Sequence, residues 1–167
     1  NYDLTISPRY IEKRGSGISS EGRFLTQDSE GLIAFSYFFD DRKFLDQTGK
    51  NKKRWATKVN SQTNLGSNLY VGISTEYVSD NLYFEDLNDD ILGTQQKDFL
   101  MRNLNVGFNT KNLKIIGRLK QFHNLNPFSS NEYKTQPHLN VEYQGNVFGM
   151  SARLVTDYAK FSFDEEF

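Results

Sequence analysis

Strict alternation between apolar and polar side chains is the feature that most constrains this chain. Residues 68–77 separate cleanly into two sets: Leu69, Val71, Ile73, Thr75 and Tyr77, against Asn68, Tyr70, Gly72, Ser74 and Glu76. The same period of two returns in 112–120, 138–143 and 148–158. Successive side chains of a β-strand point to opposite faces, so this period predicts strands with one apolar and one polar face.

The pattern, less strictly kept, extends over most of the chain. About nine segments are predicted as strands: 2–13, 18–27, 31–39, 54–63, 68–77, 99–109, 112–120, 138–143 and 148–158. None of the segments between them carries a convincing helical repeat. The predicted fold class is all-β, with antiparallel up-and-down strands. As a separate expectation, the segments between the strands contain no helix.

The spacers between these strands alternate in length from the third strand onward. The gaps 40–53, 78–98 and 123–136 are long and polar, whereas 64–67, 110–111 and 145–147 are tight. Outer-membrane barrels have short periplasmic turns, long outer loops and strands of ~9–11 residues. We therefore expect the three long loops to lie at one end, outside the cell. In such a barrel the apolar faces meet lipid and the polar faces meet a wet lumen.

Composition excludes several other classes. The net charge of −1 gives no global field that would favour nucleic acid, and the absence of cysteine excludes a disulfide scaffold or cysteine-based zinc site. No stretch approaches the ~18 apolar residues of a transmembrane helix. The chain opens inside a strand pattern, without a targeting signal, so we expect it to be part of a larger protein.

Candidate catalytic and metal-binding groups carry little signal. His123 and His138 have no carboxylate at ligand spacing in the sequence, so we interpret them as surface histidines. Three groups of charged residues are interpreted as solvated loop residues. They are the acid pairs Asp40–Asp41, Asp89–Asp90 and Glu165–Glu166, the acids of the loop 78–98, which include Asp80 and Asp86, and the basic run "KNKKR" at 50–54. We predict no enzymatic activity, no metal and no cofactor.

Six segments, in order, carry a resemblance to a known family. They read "YDLTISPRYIEKRG", "EGRFL", "GLIAFSYFFDDRKF", "KRWATKVN", "YVSDNLYFEDL" and "YKTQPHLNVEY". They are spread over the chain from Tyr2 to Tyr143. Over nearly its whole length the chain resembles the start of the barrel of the LptD family. Its members are lipopolysaccharide-assembly proteins of the Gram-negative outer membrane, also called organic solvent tolerance proteins.

The resemblance implies much that lies outside these residues. Members of the family have a periplasmic jelly-roll domain, followed by a barrel of about 26 strands. The jelly roll receives lipopolysaccharide from periplasmic bridge proteins, the lipoprotein LptE plugs the lumen, and the lipid leaves through a lateral seam of the barrel. Residues 1–167 would be the early strands, without the jelly roll, the later strands or the family's disulfide cysteines.

The family resemblance also implies a role for Pro8. Prolines in the first strands of the family are thought to loosen the seam, because proline cannot donate to a β-ladder. We therefore predict a lateral gate at Pro8 with Ile6 and Tyr10. The alternative is an edge-strand proline that only discourages aggregation.

Charged side chains on the polar faces form the second candidate site. They are Lys114, Arg118, Lys120, Glu142, Arg153 and Asp157. They are predicted to face the lumen, where they would contact the plug lipoprotein or a passing lipid head group; the alternative is that they only line water. Aromatic residues at strand ends, including Phe38, Trp55 and Tyr77, are predicted to form an interfacial girdle.

Two other functions remain open from the sequence. A passive porin would share the alternation and the loop pattern, without the seam proline or the plug partner. A soluble β-sandwich binding module would share the alternation alone. Outer-membrane lipid is an expected partner of the lipopolysaccharide-assembly protein and of the porin. Nucleic acid is not an expected partner of any of the three.

Overall fold

The computed structural model describes residues 1–49, 53–87, 92, 99–126 and 134–162. These ranges contain nine strands that form one antiparallel sheet, in which each strand pairs with its neighbours in the chain. The strands are β1 (Tyr2–Ile11), β2 (Gly15–Leu25), β3 (Ser29–Phe38), β4 (Arg54–Leu65), β5 (Leu69–Val78), β6 (Phe99–Asn109), β7 (Leu113–Asn124), β8 (Lys134–Val147) and β9 (Met150–Ser162). The predicted fold class is confirmed.

The strand register keeps the apolar side chains together across the sheet. Paired residues of antiparallel strands share a face, and the pairs Leu4–Gly22, Gly22–Ile33 and Ile33–Val59 link the first four strands. Continuing the register to β9 gives one apolar face that includes Tyr2, Leu4, Ile6, Ile33, Phe35, Trp55, Ile73, Val106, Leu119, Leu139, Leu154 and Tyr158, all of them exposed. The opposite face is called the polar face.

The two ends of the sheet differ in their connections. At one end, called the turn end, short connections at 26–28, 66–68, 110–112 and 148–149 join successive strands. At the other, called the loop end, the turn at 12–14 lies beside the longer connections after β3, β5 and β7. The predicted segregation of loop lengths is confirmed.

Two short helices at the loop end make the prediction of no helix wrong. They are α1 (Arg42–Thr48) and α2 (Tyr83–Asp86). Asp41 caps α1 by accepting a hydrogen bond from the backbone N–H of Phe44 at 3.1 Å, and Gly49 ends it in the left-handed conformation, with φ of 66°. Within the ranges described, no helix is long and apolar enough to cross a membrane.

A segment after β5 folds back over the polar face at the loop end. This segment, residues 79–87, is called the cap. Its Tyr83, Phe84 and Leu87 are buried in one cluster with Ala34 and Ala56 of β3 and β4. The alanines leave room for the cap, and the apolar contact makes this end of the polar face a packed core.

One glycine and one aromatic residue of neighbouring strands pack closely on the polar face. Gly107 of β6 pairs with Tyr70 of β5, and a Cβ atom added at Gly107 would collide with the Tyr70 ring. The ring therefore covers the backbone of the neighbouring strand, which only a glycine permits.

This contact predicts that Gly107→Val lowers the stability of the full-length protein. The valine would displace the Tyr70 ring, and we expect a loss of about 1–3 kcal/mol, typical of overpacking. Gly117→Val on β7 is the matched control, because the nearest atom to its added Cβ is the carbonyl oxygen of Val106 at 3.9 Å. The measurement is the temperature at which the folded band is lost on an SDS gel. Equal shifts for both variants would contradict the prediction.

Candidate functional site

Pro8 lies in the middle of an edge strand, and the hydrogen-bond register shows which side lacks a donor. The backbone N–H of Leu25 donates to the carbonyl of Asn1 at 2.8 Å, and the N-terminal nitrogen of Asn1 donates to the carbonyl of Leu25 at 2.6 Å, so the two residues form a hydrogen-bonded pair. Hydrogen-bonded and non-hydrogen-bonded pairs alternate along an antiparallel ladder. Counting from Asn1–Leu25, the pair Pro8–Ile18 is non-hydrogen-bonded. The backbone nitrogen of Pro8 therefore faces the outer edge of β1, away from β2.

The same register places the other predicted gate residues. Ile6 and Tyr10 share the apolar face and the outward backbone direction with Pro8, and their side chains are exposed. Their N–H groups point to the outer edge, with a missing donor between them. The ladder between β1 and β2 is intact at Pro8, while the outer edge is weakened there. The role of these three residues at a seam remains a prediction.

The structure brings the six predicted lumen residues to one face of β7, β8 and β9. Lys114 pairs in register with Glu142, and Arg118 pairs with His138. Arg153 donates to Glu142 from Nε at 2.8 Å and contacts it through a second guanidinium nitrogen at 2.7 Å. Their shared face is the polar face, and their function stays a prediction.

His138 lies beside one of the predicted acids. Its Nε2 is 2.8 Å from Asp157 Oδ1, and Asn140 donates to the other carboxylate oxygen at 3.1 Å. The described residues contain no group of three or more potential ligands that could hold a metal ion. The His138–Asp157 pair is a cross-strand polar contact of the sheet.

A groove on the polar face collects cationic and amide side chains. It has a volume of about 490 Å³, and its lining residues are Met101, Asn103, Asn105, Arg118, Lys120 and His138. Lys120 also lies over the ring of Phe122, with its ammonium 4.9 Å from the centroid. Guanidinium and ammonium groups pair with phosphate, and amides hydrogen-bond to sugar hydroxyls. The groove can therefore bind an anionic or glycosidic group.

Five charged side chains meet at the loop end and are largely removed from water. This charge cluster consists of Arg14, Asp41, Arg54, Asp80 and Asp86. Arg54 contacts all three carboxylates, at 2.9 Å to Asp41, 2.6 Å to Asp80 and 2.8 Å to Asp86. Arg14 contacts two of them, at 2.9 Å to Asp41 and 2.7 Å to Asp86.

The cluster joins distant parts of the chain. Arg14 comes from the β1–β2 turn, Asp41 from the N-terminus of α1, Arg54 from the start of β4, and Asp80 and Asp86 from the cap. The guanidinium of Arg54 also lies 4.1 Å from the ring centroid of Phe44. Buried charges are tolerated when they are paired and hydrogen-bonded, as they are here.

Comparison with known proteins identifies the family. The sequence model described as LptD, LPS transport system D, matches residues 52–166, more than half of the chain. The chain belongs to the LptD family.

Several similar proteins carry the name of the family and are much longer than this chain. The chain is 30% identical over 165 residues to the LPS-assembly protein LptD of Sodalis glossinidius. The aligned residues make up 97% of the chain and 21% of that protein. It is 36% identical over 127 residues to the protein of that name from Alcanivorax borkumensis, 75% of the chain and 16% of the relative. A third, from Salmonella typhimurium, is 29% identical over 152 residues, 89% of the chain and 19% of the relative. The chain thus spans about a fifth of their length.

The charge cluster corrects three predictions made for this LptD-family chain. Loop acids were expected to be solvated, which is wrong for Asp41, whose side chain has no exposure, and for Asp80 and Asp86 at 13% and 19%. The basic run was expected to be solvated, which is wrong for Arg54, whose side chain is fully buried. Residues 50–52, Asp89–Asp90 and Glu165–Glu166 lie outside the described residues.

The predicted girdle needs one correction as well. Trp55 and Tyr77 are exposed on the apolar face near the loop end, but Phe38 is fully buried beneath the cap, on the polar face. The alternation of side chains along the strand distinguishes them. Phe38 pairs with Arg54 and not with Trp55, so Phe38 and Trp55 lie on opposite faces of the sheet.

Arg54→Met in the full-length protein tests the weight of the charge cluster. We expect it to lower the free energy of unfolding by about 3–5 kcal/mol, because three carboxylates lose a buried partner. The matched control is Arg42→Met, since Arg42 is 75% exposed and contacts Asp40 at 3.3 Å; its effect should stay below about 0.5 kcal/mol. The measurement is the denaturant midpoint of far-UV circular dichroism. Similar small shifts for the two variants would show that the cluster does not stabilise the fold.

Proposed function

We propose that this chain forms the early strands of an outer-membrane barrel that inserts lipopolysaccharide into the outer leaflet through a lateral seam. Membership of the LptD family supports this proposal. The single observation that carries it is the position of Pro8, whose missing donor faces the outer edge of β1. A seam strand of this kind pairs fully on its inner side and weakly on its outer side.

The apolar face supports a location in the membrane. Leu4, Ile6, Ile33 and Leu154 are each more than half exposed on a face that runs across all nine strands. A contiguous apolar surface of this size is unfavourable in water and matches the hydrocarbon of a bilayer. Strands of 10–14 residues are long enough to cross it when tilted.

The polar face supports a path for the sugars and phosphates of the lipid. The groove around Arg118 and Lys120 offers cations and amides to phosphate and hydroxyl groups. In this proposal the acyl chains leave at the edge of β1 while the hydrophilic part passes along the polar face. The plug lipoprotein LptE would occupy another part of the lumen. Periplasmic bridge proteins would deliver the lipid through a jelly-roll domain outside these residues.

Such a seam opens readily only if few backbone hydrogen bonds across it have to break. Each contributes about 0.5–1.5 kcal/mol net, so removal of one donor in the middle of the strand shifts the equilibrium measurably. Backbone N–H groups along β1 point alternately toward β2 and toward the outer edge. Those of Ile6 and Tyr10 are therefore the outward donors nearest to Pro8. Proline thus weakens the seam without disturbing the β1–β2 hairpin.

Site-specific photocrosslinking in cells tests the lateral exit. A photoreactive amino acid replaces Ile6, or Arg118 on the polar face, in the full-length protein. We expect lipopolysaccharide adducts at both positions, and we expect them to depend on active lipid supply. If neither position gives an adduct and the purified protein conducts ions freely, the chain belongs to a passive channel and the proposal fails.

Pro8→Ala provides a second test, of the seam itself. Alanine restores one outward donor, and about 1 kcal/mol of extra pairing lowers the open fraction about fivefold. The adduct at Ile6 should fall accordingly, while the adduct at Arg118 persists.

Pro137→Ala is the matched control for this substitution. Pro137 lies in β8, between β7 and β9, next to a register irregularity. Its replacement should leave the adduct at Ile6 unchanged. An unchanged adduct in Pro8→Ala as well would show that the missing donor has no part in the exit.

A further inference from the structure

We propose that Arg14 couples the β1–β2 hairpin to the cap, so that the loop end of the seam strand and the cap open together. This inference rests on the proposed function and adds a positioning residue to it. It would link two events that the export of an amphipathic lipid needs at once: an open seam for acyl chains and an uncovered polar face for sugars.

The burial of Arg14 is unusual for its place in the chain. It occupies a three-residue turn in which Glu12 and Lys13 are exposed, yet Arg14 itself is 6% exposed. Its guanidinium reaches Asp41 with one nitrogen, at 2.9 and 3.2 Å to the two oxygens, and Asp86 with the other, at 2.7 Å. One side chain therefore bridges the α1 connection and the cap.

The backbone of the turn is docked at the same place. The N–H of Arg42 donates to the carbonyl of Arg14 at 2.9 Å, and a Cβ atom added at Gly15 would collide with the carbonyl of Asp40. Lys13 adopts the left-handed conformation, with φ of 66°, which a non-glycine residue rarely does. These contacts hold the turn against the 40–42 segment and aim Arg14 into the cluster.

The charges explain why the effect of Arg14 should extend to the cap. Two guanidinium groups face three carboxylates in the cluster. Without Arg14, Arg54 alone would face all three, and the repulsion between Asp41 and Asp86 would be offset less well. The strain would act on α2, which belongs to the cap, as well as on the hairpin.

Arg14 and Arg54 have separable roles. Arg54 connects β4 with Asp41, Asp80 and Asp86, and so assembles the cap on the sheet. Arg14 adds the first hairpin to this assembly. Substitution of Arg14 therefore tests the coupling, whereas substitution of Arg54 removes the cap's own support.

The test is backbone hydrogen exchange in the purified full-length protein in detergent micelles. Two segments are followed: 7–18 in the hairpin and 79–87 in the cap. In Arg14→Ala we expect exchange to rise about tenfold in both segments, which corresponds to about 1.4 kcal/mol of lost protection. Arg42→Ala is the control at the same end of the sheet, because its exposed pair with Asp40 leaves the cluster intact; neither segment should change.

Arg14→Lys keeps the charge but cannot span two carboxylates as a guanidinium does. It decides the question if Arg14→Ala does not fold. A joint rise in both segments, smaller than in Arg14→Ala, supports the coupling. Faster exchange in the hairpin with native protection in the cap overturns it, because the turn would then be only locally stabilised.

The exchange measurement needs no lipid, so the coupling and the transport proposal can fail separately. If both segments respond to substitution of Arg14, neither Ile6 nor Arg118 gives a lipopolysaccharide adduct and the purified protein conducts ions freely, the coupling stands and the transport function fails. If Ile6 gives the adduct and hydrogen exchange in the cap does not change when Arg14 is substituted, the transport function stands and the coupling fails.

Discussion

An unbroken register across nine strands is the constraint on which the rest of this structure depends. Antiparallel partners share a face, so one residue of slippage in any strand would move its apolar side chains to the polar side. Ile33, Val59 and Thr75 follow one another across three strands, as do Ile73, Leu104 and Leu119. The apolar and polar faces exist because each ladder preserves the parity of the previous one.

The loop end solves a different problem, because the polar face there carries buried apolar residues. Ala34 and Ala56 are too small to cover the sheet, and Tyr83, Phe84 and Leu87 of the cap complete the packing. Arg54 has the same parity as Ala56 and brings a charge into this core. Its three carboxylate partners come from the segments that the core must hold in place, so packing and charge pairing select the same loop conformation.

Local periodicity was sufficient to predict the strands but not the loop end. The prediction of 99–109 matches β6 at both ends, and the other strands differ by a few residues. Helix α1 was missed because seven residues are too few for a helical period to show, although Asp41 and Gly49 are typical capping residues at the right separation.

The charge cluster was missed for a different reason. Its members lie up to 72 residues apart, and only the register determines that the tip of the first hairpin meets the cap. Parity alone could have indicated Arg54, since a charged residue at the first position of β4 shares the face of Ala56. No local pattern could have indicated that Arg14 of a solvent-accessible turn would be its neighbour.

The first strand therefore combines three different constraints along its length. Its inner ladder to β2 is complete, its outer edge lacks a donor at Pro8, and its loop end leads into the turn held by Arg14. A strand that was weak on both sides would leave the sheet, and one that was strong on both could not form a gate. Because the weakness is confined to one edge, seam opening would separate β1 from the strand beyond it and leave the β1–β2 ladder in register.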